Sequence, residues 1–329
     1  MRFFATLGPK SHSVETLKSL FEAGMTGVRL NLSHGNLNEG KPWIDELIEA
    51  AKQCGKPYEL LVDLNGPEIR IGALEQPLLC NIKDIVTLGE DGIEVPQEVF
   101  STLQKGDVVL LDDGRLRLIC LEVADSQAKL EVLQGGLLHG HKSLAIEGKS
   151  IDLPTLSVKD YQNLKMMKNY RITGVMLPFV RHIGDLQNLR QALHQEGLDH
   201  IRIYAKIENM QGVRRLPDFI KACDEVVIAR GDLGNAMPLW ELPAVQKQLA
   251  QVCLENNKPF MVVTQLLDSM IEKASPTRAE VSDIFNAVLD GASSLMVTGE
   301  TAIGQYPIAV MRYLVNTANE ALKYLERIG

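Results

Sequence analysis

The 329-residue sequence predicts an α/β fold: a (β/α)8 TIM barrel with a small all-β domain inserted after its third strand. Three observations lead there. Short apolar runs alternate with amphipathic helical patterns eight times along the chain. Between residues 72 and 150 the alternation gives way to strand patterns separated by Gly, Asp and Asn turns. With that segment set aside, residues 1–71 and 151–329 leave 250 residues, the usual size of such a barrel. An open doubly wound sheet also alternates strands with helices, but eight units of short strands favour closure.

The elements follow in order. "RFFATLG" (2–8) and "GVRLNLS" (27–33) are strands that lead into the helical patterns "VETLKSLFEAG" and "EGKPWIDELIEAAKQCG". "YELLVDL" (58–64) meets "NGPEIRIG", with no helix after it. The insertion carries "LLCNIKDIVTLG", "DVVLLDDGRLRLICLEVA" and "AKLEVLQGG". Alternation resumes with the helix "SVKDYQNLKMMKNY" and the strand "GVMLPF", then "IRIYAK", "EVVIARGD", "PFMVVTQ" and "SLMVTGE", each followed by a helix. The predicted organisation is a barrel of residues 1–71 and 151–329 with a cap, 72–150, over its mouth.

Composition narrows the class of function. The formal net charge is −8, from 34 basic and 42 acidic residues, which argues against nucleic acid as the main partner. Five scattered cysteines without a CxxC pair read as reduced thiols of a cytoplasmic protein. The start lacks the pattern of a signal peptide, and no apolar run approaches membrane-spanning length.

Functional residues of a barrel enzyme gather at the C-terminal ends of its strands. Here those ends hold Arg29, Asn31, Ser33 and His34; Asp63, with Glu68 and Arg70 beyond; Lys206 and Glu208; Arg230 and Asp232 in a Gly-rich turn; Thr264 and Gln265; and Thr298, Gly299 and Glu300. In "YAKIEN", Lys206 and Glu208 are two apart, so both lean to one face. Glu208 and Asp232 offer hard oxygen ligands suited to Mg²⁺ or Mn²⁺. Lys206, Arg29 and Arg70 supply positive charge for a phosphate or a developing anion. Gly231 and Gly234 let backbone N–H groups approach an anionic substrate. Asp63 with Asn31 and Ser33 is an oxygen-rich cluster for a second cation. The set reads as metal-assisted phosphoryl transfer or enolate chemistry. Plainer readings stand beside it: Asp232 as a helix cap, Glu208 as a neutraliser of Lys206, Thr264 and Thr298 as ordinary β-branched strand residues, and Asp112–Asp113–Gly114 as a hairpin turn.

The stretches "TLGPKS", "AGMTGVRLNLSHG", "VDLNGPEIRIG", "AKIENMQGVRRLPDFI", "ARGDLG", "PTRAE" and "GETA" resemble the pyruvate kinase family, in family order along the whole chain. The resemblance implies transfer of phosphate between phosphoenolpyruvate and ADP, with Mg²⁺ or Mn²⁺ and K⁺. It gives Lys206 to the moving phosphoryl group and the enolate, and Glu208 and Asp232 to the divalent metal. Thr264 with the backbone of Gly231 and Asp232 receives the substrate carboxylate, and Thr264 and Thr298 belong to the protonation system. Arg29 faces phosphate. Arg70, His34, Pro9 and Lys142 lie on the nucleotide side, while Asn31, Ser33, Asp63 and Leu64 form the K⁺ site; Glu68 matches the K⁺-dependent form of "GPEIR".

The departures fall on the nucleotide and K⁺ side. Glu39 stands where the family often has a tyrosine, Leu64–Asn65 where Thr-Lys is usual, and only Lys142 keeps a basic residue in "GLLHGHKSLAIEG". Family members normally continue into a C-terminal α/β domain, whereas this sequence stops at Gly329; a short member and a truncated chain both fit. Homo-oligomers through barrel contacts are a further expectation. Two rivals remain: an Mg²⁺-dependent pyruvate enolate lyase or aldolase on the same barrel, and a non-catalytic metabolite-binding relative.

Overall fold

The structure, a computed structural model, describes residues 1–33, 35–66, 69–112, 114–149, 151 and 153–328. Eight parallel strands close a barrel: β1 (Arg2–Thr6), β2 (Gly27–Asn31), β3 (Glu59–Asp63), and, after an antiparallel insertion, β11 (Gly174–Leu177), β12 (Arg202–Ile207), β13 (Glu225–Ala229), β14 (Phe260–Val263) and β15 (Ser294–Met296). The order around the ring is β1-β15-β14-β13-β12-β11-β3-β2. The predicted fold class is therefore the observed one.

Local chemistry starts the helices where the strands deliver the chain. Ser13 caps the helix Val14–Glu22, Asn36 caps Leu37–Cys54 and Asn209 caps Met210–Phe219, each accepting a first-turn N–H. Ser157 with Asp160, and Thr277 with Glu280, form capping boxes at Val158–Met167 and Arg278–Leu289. The "PTRAE" motif thus serves the fold directly. Beyond its capping bonds, Glu280 accepts from the Ser269 N–H and hydroxyl, tying the turn after β14 to the next helix.

The insertion adds β4 (Leu78–Cys80), β5 (Ile85–Gly89), β6 (Val108–Leu111), β7 (Leu116–Val123), β8 (Gln127–Gln134), β9 (Gly136–Leu138) and β10 (Leu144–Ile146). They form a five-stranded sheet, β10-β6-β7-β8-β5, and the ribbon β4-β9. This cap has its own apolar core, which takes in Ile69 and Ile71. The crossing from the barrel is bonded to the segment that enters β10: Ile71 N–H donates to the Lys142 carbonyl and Leu144 N–H to the Ile69 carbonyl. At the β6–β7 hairpin Asp112 has φ 50° and Gly114 φ 78°.

Inside the barrel, side chains alternate in and out along each strand. Phe4, Leu61, Met176, Tyr204, Val227, Met261 and Met296 fill the middle. Two residues on toward the C-terminal ends, the same inward face carries Thr6, Asp63 and Lys206. One face is thus dry in its middle layer and polar at its top. Below, Glu225 is fully buried and ion-paired to Arg2 and Arg202, with Ser294 also bonded to it, which seals the floor.

Candidate active site

Strand register builds the charged centre. Asn31 on β2 lies beside Asp63 on β3. Arg29 donates to Asp63 Oδ2 through Nε at 2.9 Å and Nη2 at 2.6 Å. Lys206 Nζ donates to the same oxygen at 3.2 Å and lies 2.9 Å from Glu208 Oε1. Glu208 Oε2 accepts the N–H of Phe179, which follows β11, at 2.9 Å. Asp63 and Glu208 are 1% and 3% exposed, so these are paired charges in a low-dielectric layer. Burial disfavours the ammonium of Lys206, yet Asp63 and Glu208 prevail and hold it well above its ordinary range. Burial likewise opposes the charge on Asp63, and Lys206 and Arg29 overcome it, keeping that carboxyl below its ordinary value.

The loop after β3 is held by a residue from another element. Asp160, fully buried at the start of Val158–Met167, accepts the N–H groups of Asn65 at 2.8 Å and Gly66 at 3.0 Å. Gly66 has φ +60°, and a Cβ there would come within 2.3 Å of Pro178, so only glycine fits.

"ARGDLG" is a short helix, Arg230–Asn235, rather than the expected Gly-rich turn. Neither of its glycines takes a positive φ, so both fit a right-handed helix. Asp232 lies within this first turn, while the preceding Ala229 makes no side-chain cap bond, which removes the plain capping reading. Arg230 turns away: it donates to the Thr264 carbonyl at 2.7 Å and pairs with Asp283 at 2.7 Å. That bond helps to fix Thr264 in a left-handed conformation, φ 81°, which is costly for a β-branched residue. Thr264 is therefore no ordinary strand residue. Its Cγ2 would lie 3.0 Å from a Cβ on Gly231, so glycine permits the close approach of the two loops. Thr298 gives its N–H, at 2.6 Å, and its hydroxyl, at 3.1 Å, to Glu300 Oε2, a carboxylate buried to 1% exposure.

Glu208 and Asp232 line one cavity between barrel and cap, together with Phe179, Arg181, Lys149 and Leu144. Gly231, Asp232 and Thr264 line the adjoining cleft with Arg115 and Arg117 of the cap. The nucleotide-side expectations are less concentrated. Arg70 donates to the His141 carbonyl at 2.8 Å, and Lys142 lies 2.8 Å from Asp112. Pro9 is exposed in the turn after β1, and Leu64 is buried. Asn31 Oδ1 accepts the Ser33 N–H at 3.1 Å. His34, Glu68 and Asp113 lie outside the described residues.

The donor sets can be tested against the implied cations. Asp63 Oδ1 is buried with no hydrogen-bond partner among the described residues, a free hard oxygen in a set with the Asn31 amide and the Ser33 hydroxyl. That fits a monovalent cation held by oxygens. Among the described residues no three acidic, histidine or cysteine side chains converge on one point. Glu208 and Asp232 suffice for Mg²⁺, which commonly takes one or two carboxylates and completes its shell with water and substrate oxygens.

The strand-end reading of the sequence named nothing on the fourth barrel strand. The structure brings in Phe179, φ 54°, and Arg181, whose buried guanidinium donates to the Leu153 carbonyl and to Asp185. The available signal was "LPFVR" directly after an apolar strand.

The sequence profile described as "Pyruvate kinase, barrel domain" matches residues 1–311. The chain belongs to the pyruvate kinase family. The pyruvate kinase of Aeropyrum pernix is 38% identical over 328 residues, 99% of this chain and 71% of that protein. That of Corynebacterium glutamicum is 36% identical over 337 residues, covering 100% and 70%. That of Kluyveromyces lactis is 37% identical over 338 residues, covering 97% and 67%. Family membership makes the chain an enzyme of the pyruvate kinase type. No helix of the described residues is long and apolar enough to cross a membrane.

Proposed function

We propose that the chain moves a phosphoryl group from phosphoenolpyruvate to ADP, giving pyruvate and ATP. The observation that carries this reading is the buried Lys206 ammonium, held charged between Asp63 and Glu208, with Glu208 opening onto the same cavity as Asp232. In the transfer, the bond from phosphorus to the enol oxygen breaks as a bond to a β-phosphate oxygen of ADP forms. Lys206 neutralises charge on the passing group and on the enolate left behind, and Arg29 adds to the positive field. Thr264 and the N–H groups of Gly231 and Asp232 orient the substrate carboxylate. The enolate then takes a proton at its terminal carbon through the hydroxyl system of Thr264 and Thr298, with buried Glu300 orienting Thr298. Glu208 and Asp232 would hold Mg²⁺ or Mn²⁺, which supplies Lewis-acid polarisation of the phosphate oxygens when bound. Asn31, Ser33, Asp63 and the Leu64 carbonyl would hold K⁺.

Arg70, His34, Pro9 and Lys142 form the proposed nucleotide side, where Glu39 and Asn65 depart from the family. Five unpaired cysteines support a cytoplasmic setting. The deciding experiment measures pyruvate release from phosphoenolpyruvate with Mg²⁺, K⁺ and a panel of nucleoside diphosphates. Turnover with ADP supports the reading. Absence of turnover with every diphosphate would refute it.

A further inference from the structure

On the barrel face opposite the strand ends, a cavity of about 820 Å³ opens beside the C-terminal end of the helix Leu37–Cys54. The turn into β3 and the segments leading into β11 and β12 complete its wall. Its charged lining is entirely basic: Lys52, Lys56, Arg171 and His200. The chain carries a net charge of −8, yet this cavity has four basic groups and no acidic residue in its described lining. The described residues offer none of these four side chains an ion pair or hydrogen bond.

Lys52 alone would be unremarked, since a cation in the last turn of a helix complements its dipole. Arg171 and His200, however, reach the cavity from two other segments. Tyr58 lines the same cavity, and its hydroxyl is buried without a partner among the described residues. Burial pushes the Tyr58 hydroxyl above its ordinary pKa, while Arg171 acts in the opposite sense. A buried polar atom left unmatched is costly.

We propose that this cavity is a binding site for a small phosphorylated molecule with an apolar or aromatic body. A phosphate monoester brings up to two negative charges and three acceptor oxygens, enough to engage several of these donors together. The rings of Tyr58 and Tyr170 and the side chains of Ile48 and Ile172 give its organic part an apolar wall. The volume falls in the range of small-molecule sites. The net negative charge of the chain sets nucleic acid aside. The proposal is independent of the catalytic reading, because none of these residues belongs to the strand-end site.

Phenyl phosphate is the test probe, with benzoate as the singly charged control, each titrated calorimetrically into the whole chain. The comparison variant is Lys56→Gln/Arg171→Gln, both sites being exposed; preserved pyruvate release certifies its fold. Phenyl phosphate should bind the wild type and lose at least ~10-fold in affinity in the variant, with benzoate binding more weakly throughout. No binding to the wild type overturns the proposal. So does equal binding by the variant, which would leave only the strand-end site, and so does benzoate binding as tightly as phenyl phosphate.

Discussion

Lys206→Met separates what the ammonium does for the fold from what it does for the reaction. Among the described residues it is the side-chain cation bonded to Glu208, whereas Asp63 keeps Arg29 when Lys206 is lost. One buried carboxylate is therefore stranded. Breaking a buried pair in this way costs about 3–5 kcal/mol. Unfolding entropy of roughly 2.1 cal/mol/K per residue scales to roughly 0.7 kcal/mol/K for this length, so the melting temperature should fall by roughly 4–7 °C without divalent metal. Mn²⁺ on the Glu208–Asp232 pair should recover part of that loss, since a cation replaces the missing one. Turnover should drop by ~10³-fold or more, about 4 kcal/mol of transition-state stabilisation. Scanning calorimetry with and without Mn²⁺, beside pyruvate release, reads all three quantities. An unchanged melting temperature in the metal-free variant would refute the burial argument, and retention of more than about a tenth of the turnover would refute the catalytic one.

Glu208→Gln and Asp232→Asn should each weaken Mn²⁺ binding, followed by electron paramagnetic resonance, because a neutral amide is a poorer ligand for a hard dication; equal affinity in both variants would move the metal elsewhere. Thr264→Gly should relieve a left-handed β-branched residue and gain about 1 kcal/mol in stability while turnover falls, so chemical denaturation and rate must move in opposite directions. Acid should expose the Asp63 linkage. Its folded value lies below the reference of 3.8, so its stabilisation is complete above that pH and lost as pH falls through the folded value. Lys206 is raised above 10.5, so its part is complete below that pH and lost as pH rises through the folded value. The stability gap between wild type and Asp63→Asn should therefore be constant near neutrality and narrow toward pH ~3 in urea titrations; a constant gap down to that pH would contradict the assignment.

The barrel was legible because its signal is local: eight periodic units, with polar residues gathered at the same end of six of the strands. Lys206 and Glu208 were legible for the same reason, since alternation alone puts them on one face. Asp63 was legible as a candidate site residue but not as the shared anchor of Arg29 and Lys206. That role depends on the registers of β2 with β3 and of the ring as a whole, which no local pattern encodes. The left-handed Thr264 was hidden because Arg230, 34 positions away, helps to hold it. "ARGDLG" reads as a turn in sequence because glycine permits a helix and a turn alike, and tertiary packing selects between them.

The ring closes between its first strand and its last. β1 pairs with β15, and Thr6 N–H donates to the Thr301 hydroxyl, 295 positions along the chain. A ribosome adding ~5–20 residues per second needs roughly 15–60 s to cover that span. Throughout that interval the apolar edge of β1 has no neighbour on one side, and the floor network of Arg2, Glu225 and Ser294 cannot form. Nascent chains of this protein are thus exposed to edge-to-edge association for most of their synthesis, and the final step of folding is one of the most non-local in the molecule. Thr298 and Glu300, just after β15, share that seam, so their placement beside β1 arrives late.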